Sequence, residues 1–187
     1  MDNRRALLIG KRSSVLTRLA AALAERGIEA ETTRELDGGA AVRSGGYGVV
    51  AFGRAVRSAD RERMREQLRE ADADVVFVDG YAPIIPLLVA QFEQALDLRP
   101  LGRRTIVDAA ARGGIVDVEL RGPCNLRITA YRLDALYRTR ERVVFDREVE
   151  AGAHSAALGA RTARSRTAFV VIRAGDETAA LPHSPAD

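Results

Sequence analysis

The 187-residue chain has one cysteine, one lysine, two histidines and no tryptophan. Each shortage narrows what it can do. A lone Cys124 excludes an intrachain disulfide and a thiolate metal cluster. In Gly122-Pro123-Cys124-Asn125 it reads as an inert small residue at a turn between strands. A catalytic thiol needs a base beside it, and the chain's imidazoles are His154 and His183. His154 follows Gly152 at an apparent turn and reads as structural, because no partner that would fix its tautomer is evident. Also missing are a Gly-x-Ser-x-Gly elbow, a Gly-x-x-x-x-Gly-Lys phosphate loop and a His-Glu-x-x-His metal pair. No apolar run approaches the roughly 20 residues that cross a bilayer. No signal-peptide pattern precedes Arg4-Arg5. A cytoplasmic protein without a membrane partner is the expectation.

Charge of one sign is scarce as well. The net charge is +3, and arginines alternate with acids instead of forming a block. Ser58 to Glu70 interleaves both signs at helical spacing and reads as a solvated helix face laced with i,i+4 pairs. No basic motif carries aromatic residues on which bases could stack, so no nucleic-acid partner is expected.

What is present falls into two halves of different period. Residues 1–100 alternate strand and helix. Apolar runs at 6–10, 48–52 and 74–79 read as buried strands, and 28–32 as a short second strand after the Gly27 stop. Helices are expected over Val15 to Arg26 (stopped by Gly27), over Ser58 to Ala71 and over Pro83 to Leu96, with a weak one at 35–44. Such alternation predicts an α/β fold, a small doubly wound parallel sheet of four or five strands covered on both faces. From about residue 102 the period changes to two. Ile115 to Leu120 and Leu126 to Tyr131 alternate, Arg142 to Val149 and His154 to Leu158 continue the pattern, and Thr167 to Ile172 is β-branched. An antiparallel β-sandwich of six or so strands is expected over residues 101–187. Ile106-Val107 would be either a fifth strand of the first sheet or the opening strand of the second unit. Leu133 to Arg140 could form a short helical turn, and Leu181 to Asp187 reads as a frayed tail.

The first strand, turn and helix have the outline of a nucleotide-binding unit. Ala6-Leu7-Leu8-Ile9-Gly10 and then Leu19-Ala20-Ala21-Ala22-Leu23-Ala24-Glu25-Arg26-Gly27 resemble the opening of an atypical, degenerate short-chain dehydrogenase or related NAD(P)-binding Rossmann unit. That family's Thr-Gly-x-x-x-Gly-x-Gly turn reads here as Ile9, Gly10, Ser14 and Leu16, and its Tyr-x-x-x-Lys pair has no counterpart. Arg34 directly follows the second strand, where members that accept a 2′-phosphate often carry Arg. The resemblance therefore implies NADP as the possible cofactor. The same β/α order also resembles a response-regulator receiver domain. Lys11-Arg12 and Gly53 stand at that family's acidic pair and phosphoacceptor, so what it implies is a binding module without phosphotransfer. The second half resembles immunoglobulin-like sandwich modules of the flagellar hook-capping type, through Leu126 to Tyr131, Ala151 to His154 and Ala168 to Ile172. That resemblance implies packing and interaction surfaces.

The ligand crevice of such a sheet lies at the carboxyl ends of its strands. The candidates there are Gly10, Lys11, Arg12, Ser13, Ser14, Arg34, Gly53 and Asp79. Lys11 and Arg12 suit a phosphate. Ser13 and Ser14 could cap the first helix or donate to an anion at its N-terminus. Asp79 could act as a base, bind a ribose hydroxyl, or cap the helix that Pro83 opens. The leading reading is a non-catalytic ligand-sensing or assembly module for a small nucleotide-like ligand, with a homodimer or a protein partner. The rival is an NADP-dependent reductase with unconventional or partner-supplied catalytic groups.

Overall fold

Strand β1 (Arg5–Ile9) has a strand on either side and helices over both faces, which is why its apolar run is unbroken. A computed structural model of the chain describes residues 4–35 and 45–185 and divides between Leu96 and Asp97 into two units. In the first unit the sheet order is β2-β1-β3-β4, with β2 (Glu29–Thr33), β3 (Val49–Phe52) and β4 (Val76–Asp79). All three pairings are parallel, with helices between β1 and β2 and between β3 and β4; β1 and β3 are buried and apolar, whereas β2 is a largely exposed edge strand. Helices α1 (Ser13–Ala24) and α3 (Ile85–Ala95) pack Leu16, Leu19, Leu23, Leu88 and Phe92 against Ala6, Leu8, Val49 and Ala51. Helix α2 (Ser58–Ala71) covers the other face, where Met64 and Leu68 meet Leu7, Ile9, Val50 and Phe52. Each fully buried side chain of this size contributes about 1.5–3 kcal/mol.

Local punctuation differs from the sequence pattern at three points. Helix α1 begins at Ser13 with extended Arg12 as its N-cap residue, so neither Ser13 nor Ser14 caps it. Helix α3 begins at Ile85, and Pro86, not Pro83, occupies its first turn. Its N-cap residue is Ile84, without a side-chain cap, so Asp79 does not cap it. The weak helix expected at 35–44 falls, except for Glu35, outside the described residues.

The second unit is antiparallel throughout, apart from one isolated bridge between Arg112 and Ser184. Strands β5 (Ile106–Arg112), β6 (Ile115–Leu120) and β9 (Gly152–Ala157) form a sheet of order β5-β6-β9. Strands β7 (Cys124–Leu133), β8 (Thr139–Val149), β10 (Ala168–Ala174) and β11 (Glu177–Pro182) form a second, of order β11-β10-β7-β8. Both sheets feed one core, with Val116, Val118 and Leu120 from the first and Leu126, Ile128, Val170 and Ile172 from the second. The alternation of β6 is complete, each even-numbered residue being buried and each odd one exposed. Ile106-Val107 thus belongs to the second unit. Leu133 to Arg140 is the close of a hairpin and not a helix; a four-residue helix, α4 (Ala160–Ala163), lies further along. The expected frayed tail is also corrected. Leu181 and Pro182 pair with Val170 and Phe169 in β11, and His183 is buried, its N–H donating to Ala168 O at 3.0 Å. Ser184 exchanges backbone bonds with Ala111 and Gly113.

Tyr131 in β7 gives this unit a pH signature. Burial, reinforced by the neighbouring Glu141 carboxylate, pushes its phenol up to about 12 from 10.0. A raised value means that the fold favours the neutral phenol. That stabilisation is whole below pH 10 and is lost as pH rises through 12. We expect Tyr131→Phe to remove one late component, near pH 12, of a phenolate absorbance titration and to flatten the alkaline fall in stability. An unchanged titration in that variant would contradict the assignment.

Candidate functional site

The carboxyl ends of three strands continue into glycine: Ile9 into Gly10, Phe52 into Gly53 and Asp79 into Gly80. Each glycine N–H extends the parallel ladder by one bond. Gly10 donates to Thr33 O at 3.1 Å, Gly53 to Ile9 O at 2.8 Å and Gly80 to Phe52 O at 3.0 Å. A Cβ at Gly53 would lie 3.6 Å from the Gly10 Cα, and one at Gly80 3.1 Å from a Leu88 methyl. The connections from β1 and from β2 leave in opposite directions, so the gap between β1 and β3 is the sheet's topological switch point. Gly10 and Gly53 flank that gap.

In a parallel sheet with helical crossovers, every helix N-terminus points to this same edge. Asp60, in the first turn of α2, is buried and bonded by Arg57 at 2.8 Å and Arg63 at 3.1 Å. The Arg57 hydrogen bond holds its carboxyl below the usual range against burial, with smaller help from the charges of Arg57, Arg63 and Lys11. Helix α1 has neither a side-chain cap nor an acid in its first turn. Arg12, Ser13, Ser14, Arg34 and Arg54 are all exposed around it or at the neighbouring strand ends. The guanidinium groups of Arg12, Arg34 and Arg54 have no ion pair among the described residues.

Asp79 stands apart from this group. Arg61 reaches its Oδ1 at 3.2 Å and Arg65 its Oδ2 at 2.7 Å. Arg65 is held in place by Glu62 at 2.6 Å and by the rings of Phe52 and Phe77, whose centroids lie 5.4 and 5.8 Å from its guanidinium carbon. Buried Gln91 clamps the loop behind Asp79. Its Nε2 donates to Asp79 O and its Oε1 accepts from the Tyr81 N–H, each at 3.1 Å. Both Asp79 carboxylate oxygens are thus taken up by guanidinium groups, and burial pushes the nearby Tyr81 phenol up, away from acid–base use near neutrality. The pairs within α2 are i,i+3 (Arg57–Asp60, Arg63–Asp60, Arg65–Glu62), with Arg61 and Arg65 turned to the sheet instead of the solvent.

Comparison with family models, curated proteins and solved structures found no match.

The structure brings Gly10, Lys11, Arg12, Ser13, Ser14, Arg34, Gly53 and Asp79 to one edge, but with Asp79 engaged in ion pairs. Arg54 and Gly80 lie at strand ends that the sequence pattern already marks, whereas nothing in that pattern announces Arg61 and Arg65. Gly80 had the same strand-then-glycine signal as Gly53, and Arg61 and Arg65 lie one turn apart on α2. Elsewhere, His154 Nε2 lies 2.8 Å from Glu150 O, and burial pushes the Cys124 thiol up. No cluster of three or more metal-ligating side chains occurs among the described residues.

Proposed function

We propose that the chain is a non-catalytic module. On this reading the first unit is a Rossmann-like, doubly wound domain that senses a phosphate-bearing, nucleotide-like ligand. The second is a sandwich-like unit that serves assembly. The observation carrying the ligand reading is the coincidence, at the switch point, of two neighbouring strand-end glycines, an uncapped helix N-terminus and arginines without an ion pair among the described residues. Backbone N–H groups at a helix start favour an anion, and glycine lets a bulky phosphate come close. The engagement of Asp79 by two arginines favours binding over catalysis. A reductase reading draws on Arg34 at the end of β2, the place for a 2′-phosphate.

Thermal unfolding with NADP, NADPH, NAD, FAD and adenine nucleotides tests both. A ligand at a hundred times its dissociation constant adds about 2.7 kcal/mol. We expect a rise with at least one phosphorylated ligand, reduced by Arg12→Ala and by Arg54→Ala. A rise confined to 2′-phosphorylated cofactors, lost in Arg34→Ala and accompanied by hydride turnover, would favour the reductase. No rise with any of them would defeat the ligand reading.

A further inference from the structure

Strands β7 and β8 form a long hairpin, paired from Cys124–Val149 to Leu133–Thr139, whose tip projects two large apolar side chains. Leu136 is 68% exposed and Tyr137 is 84% exposed. The tip is rigidly built. Asp134 Oδ1 accepts from the Leu136 and Arg138 N–H groups at 3.0 and 2.9 Å, and Oδ2 from Arg140 Nε at 3.0 Å. Asp134 N–H donates to Arg138 O, and Tyr137 N–H to Asp134 O. Tyr137 has φ +55° and is the one non-glycine residue with positive φ among those described. That left-handed conformation belongs to the tight closure of the hairpin and sets the direction of the Tyr137 side chain. The guanidinium of Arg138 has no partner among the described residues.

The outer face of the β5-β6-β9 sheet has the complementary character. Register places Asp108 opposite Glu119, Ala110 opposite Asp117, and Arg112 opposite Ile115. On the far side Glu119, Asp117 and Ile115 meet Ala153, Ser155 and Ala157. Apart from half-buried Ala110, all of these residues are exposed, and Ile115 is 47% so. Asp108 and Glu119 are like charges side by side on one face, an arrangement that destabilises a sheet unless a cation joins it. Neither has an ion pair among the described residues.

We propose that the hairpin tip of one copy docks on the β5-β6-β9 outer face of a second copy. Leu136 and Tyr137 cover Ile115 and the flanking alanines, and Arg138 meets the Asp108–Glu119 pair. The proposal rests on the assembly half of the reading above and is independent of the ligand half. Tip and face are different surfaces, so the contact is head-to-tail and propagates into a ring or an open chain. Edge-to-edge pairing of two β8 strands is disfavoured by β8 itself. A bulge at Val144 sets Arg140, Arg142 and Arg147 on one face and Glu141, Asp146 and Glu148 on the other, so antiparallel self-pairing would oppose like charges.

Sedimentation equilibrium of the full chain over a concentration series, at low and high salt, tests this. We expect a weight-average mass that rises with concentration and falls on adding salt. Arg138→Glu, Tyr137→Gly and Glu119→Arg should each weaken association at least tenfold with circular dichroism unchanged. Tyr137→Gly suits its backbone conformation, and Arg138→Glu lies in an exposed turn, so neither depends on a core substitution. Mixing Tyr137→Gly with Glu119→Arg leaves one intact tip and one intact face, so association should stop at pairs. The combined Arg138→Glu, Glu119→Arg chain should regain assembly. A monomeric wild type at every concentration overturns the proposal, as does a Glu119→Arg chain that assembles normally or a charge swap that restores nothing.

Discussion

An alanine at Gly114 should destabilise the second unit by about 2–5 kcal/mol, the sum of a backbone and a packing penalty. Gly114 is buried in the β5–β6 turn at φ +83°, a region that costs an L-residue roughly 1–2 kcal/mol. A Cβ there would lie 2.6 Å from the Ala163 Cβ, well inside van der Waals contact. Neither neighbour can retreat freely. Gly114 N–H donates to His183 Nε2 at 3.1 Å, and its carbonyl accepts from Leu158 N–H at 2.9 Å. Ala163 is tied through its own N–H to Gly159 O. For a unit of this size each kcal/mol is worth roughly 4–8 °C of Tm. Adding Ala163→Gly to Gly114→Ala should recover the packing part and leave the backbone part, which separates the two causes. A loss confined to the backbone part, about 1–2 kcal/mol and unchanged by adding Ala163→Gly, would mean that α4 does not sit against the turn.

The constraint on that turn is out of reach of the sequence for a definite reason. Gly113-Gly114 announces a turn, but the partners that constrain it, Ala163 and His183, are dozens of residues away. The elements that were legible are those set by local periodicity. The apolar runs of β1 and β3 declare burial on both faces, Ser58 to Ala71 has the spacing of α2, and Ile115 to Leu120 alternates because one face of β6 meets the core. The misreadings are places where distant contacts decide. Strand β11 is Glu-Thr-Ala-Ala-Leu-Pro, too small and polar to look like a core strand, yet its first four residues are buried by pairing with β10. Leu133, Leu136, Tyr137 and Arg140 fall at helical spacing, but Asp134 gathers the N–H groups of Leu136 and Arg138 and closes a hairpin instead.

The same division runs through the candidate site. Strand-then-glycine was enough to bring Gly10 and Gly53 to the carboxyl edge of the sheet. The state of Asp79 was not legible, because Arg61 and Arg65 come from the preceding helix and turn inward only through their packing. Arg65 could do so because Phe52 and Phe77 offer ring faces to its guanidinium. Charge alternation along α2 looks the same whether its arginines face water or a strand end.

Glu177 provides the other large expected effect. It is 4% exposed at the start of β11, and its Oε2 accepts from the backbone N–H groups of Thr105 at 2.6 Å and Ile106 at 3.2 Å. The side chain thus supplies the acceptor where the chain enters β5. Glu177→Ala strands both donors, one of them buried. An unsatisfied buried donor costs about 1–3 kcal/mol, so a total of roughly 2–5 kcal/mol is expected. Glu177→Gln keeps an acceptor but loses the charge that strengthens these bonds, so it should fall between the wild type and alanine. Hydrogen exchange gives the local check. The Thr105 and Ile106 amides should exchange much faster in Glu177→Ala, while the amides of β1 in the first unit stay protected. If alanine and glutamine at this position were equally stable, the carboxylate would be a bystander, and β5 would have to be held by its β6 ladder alone.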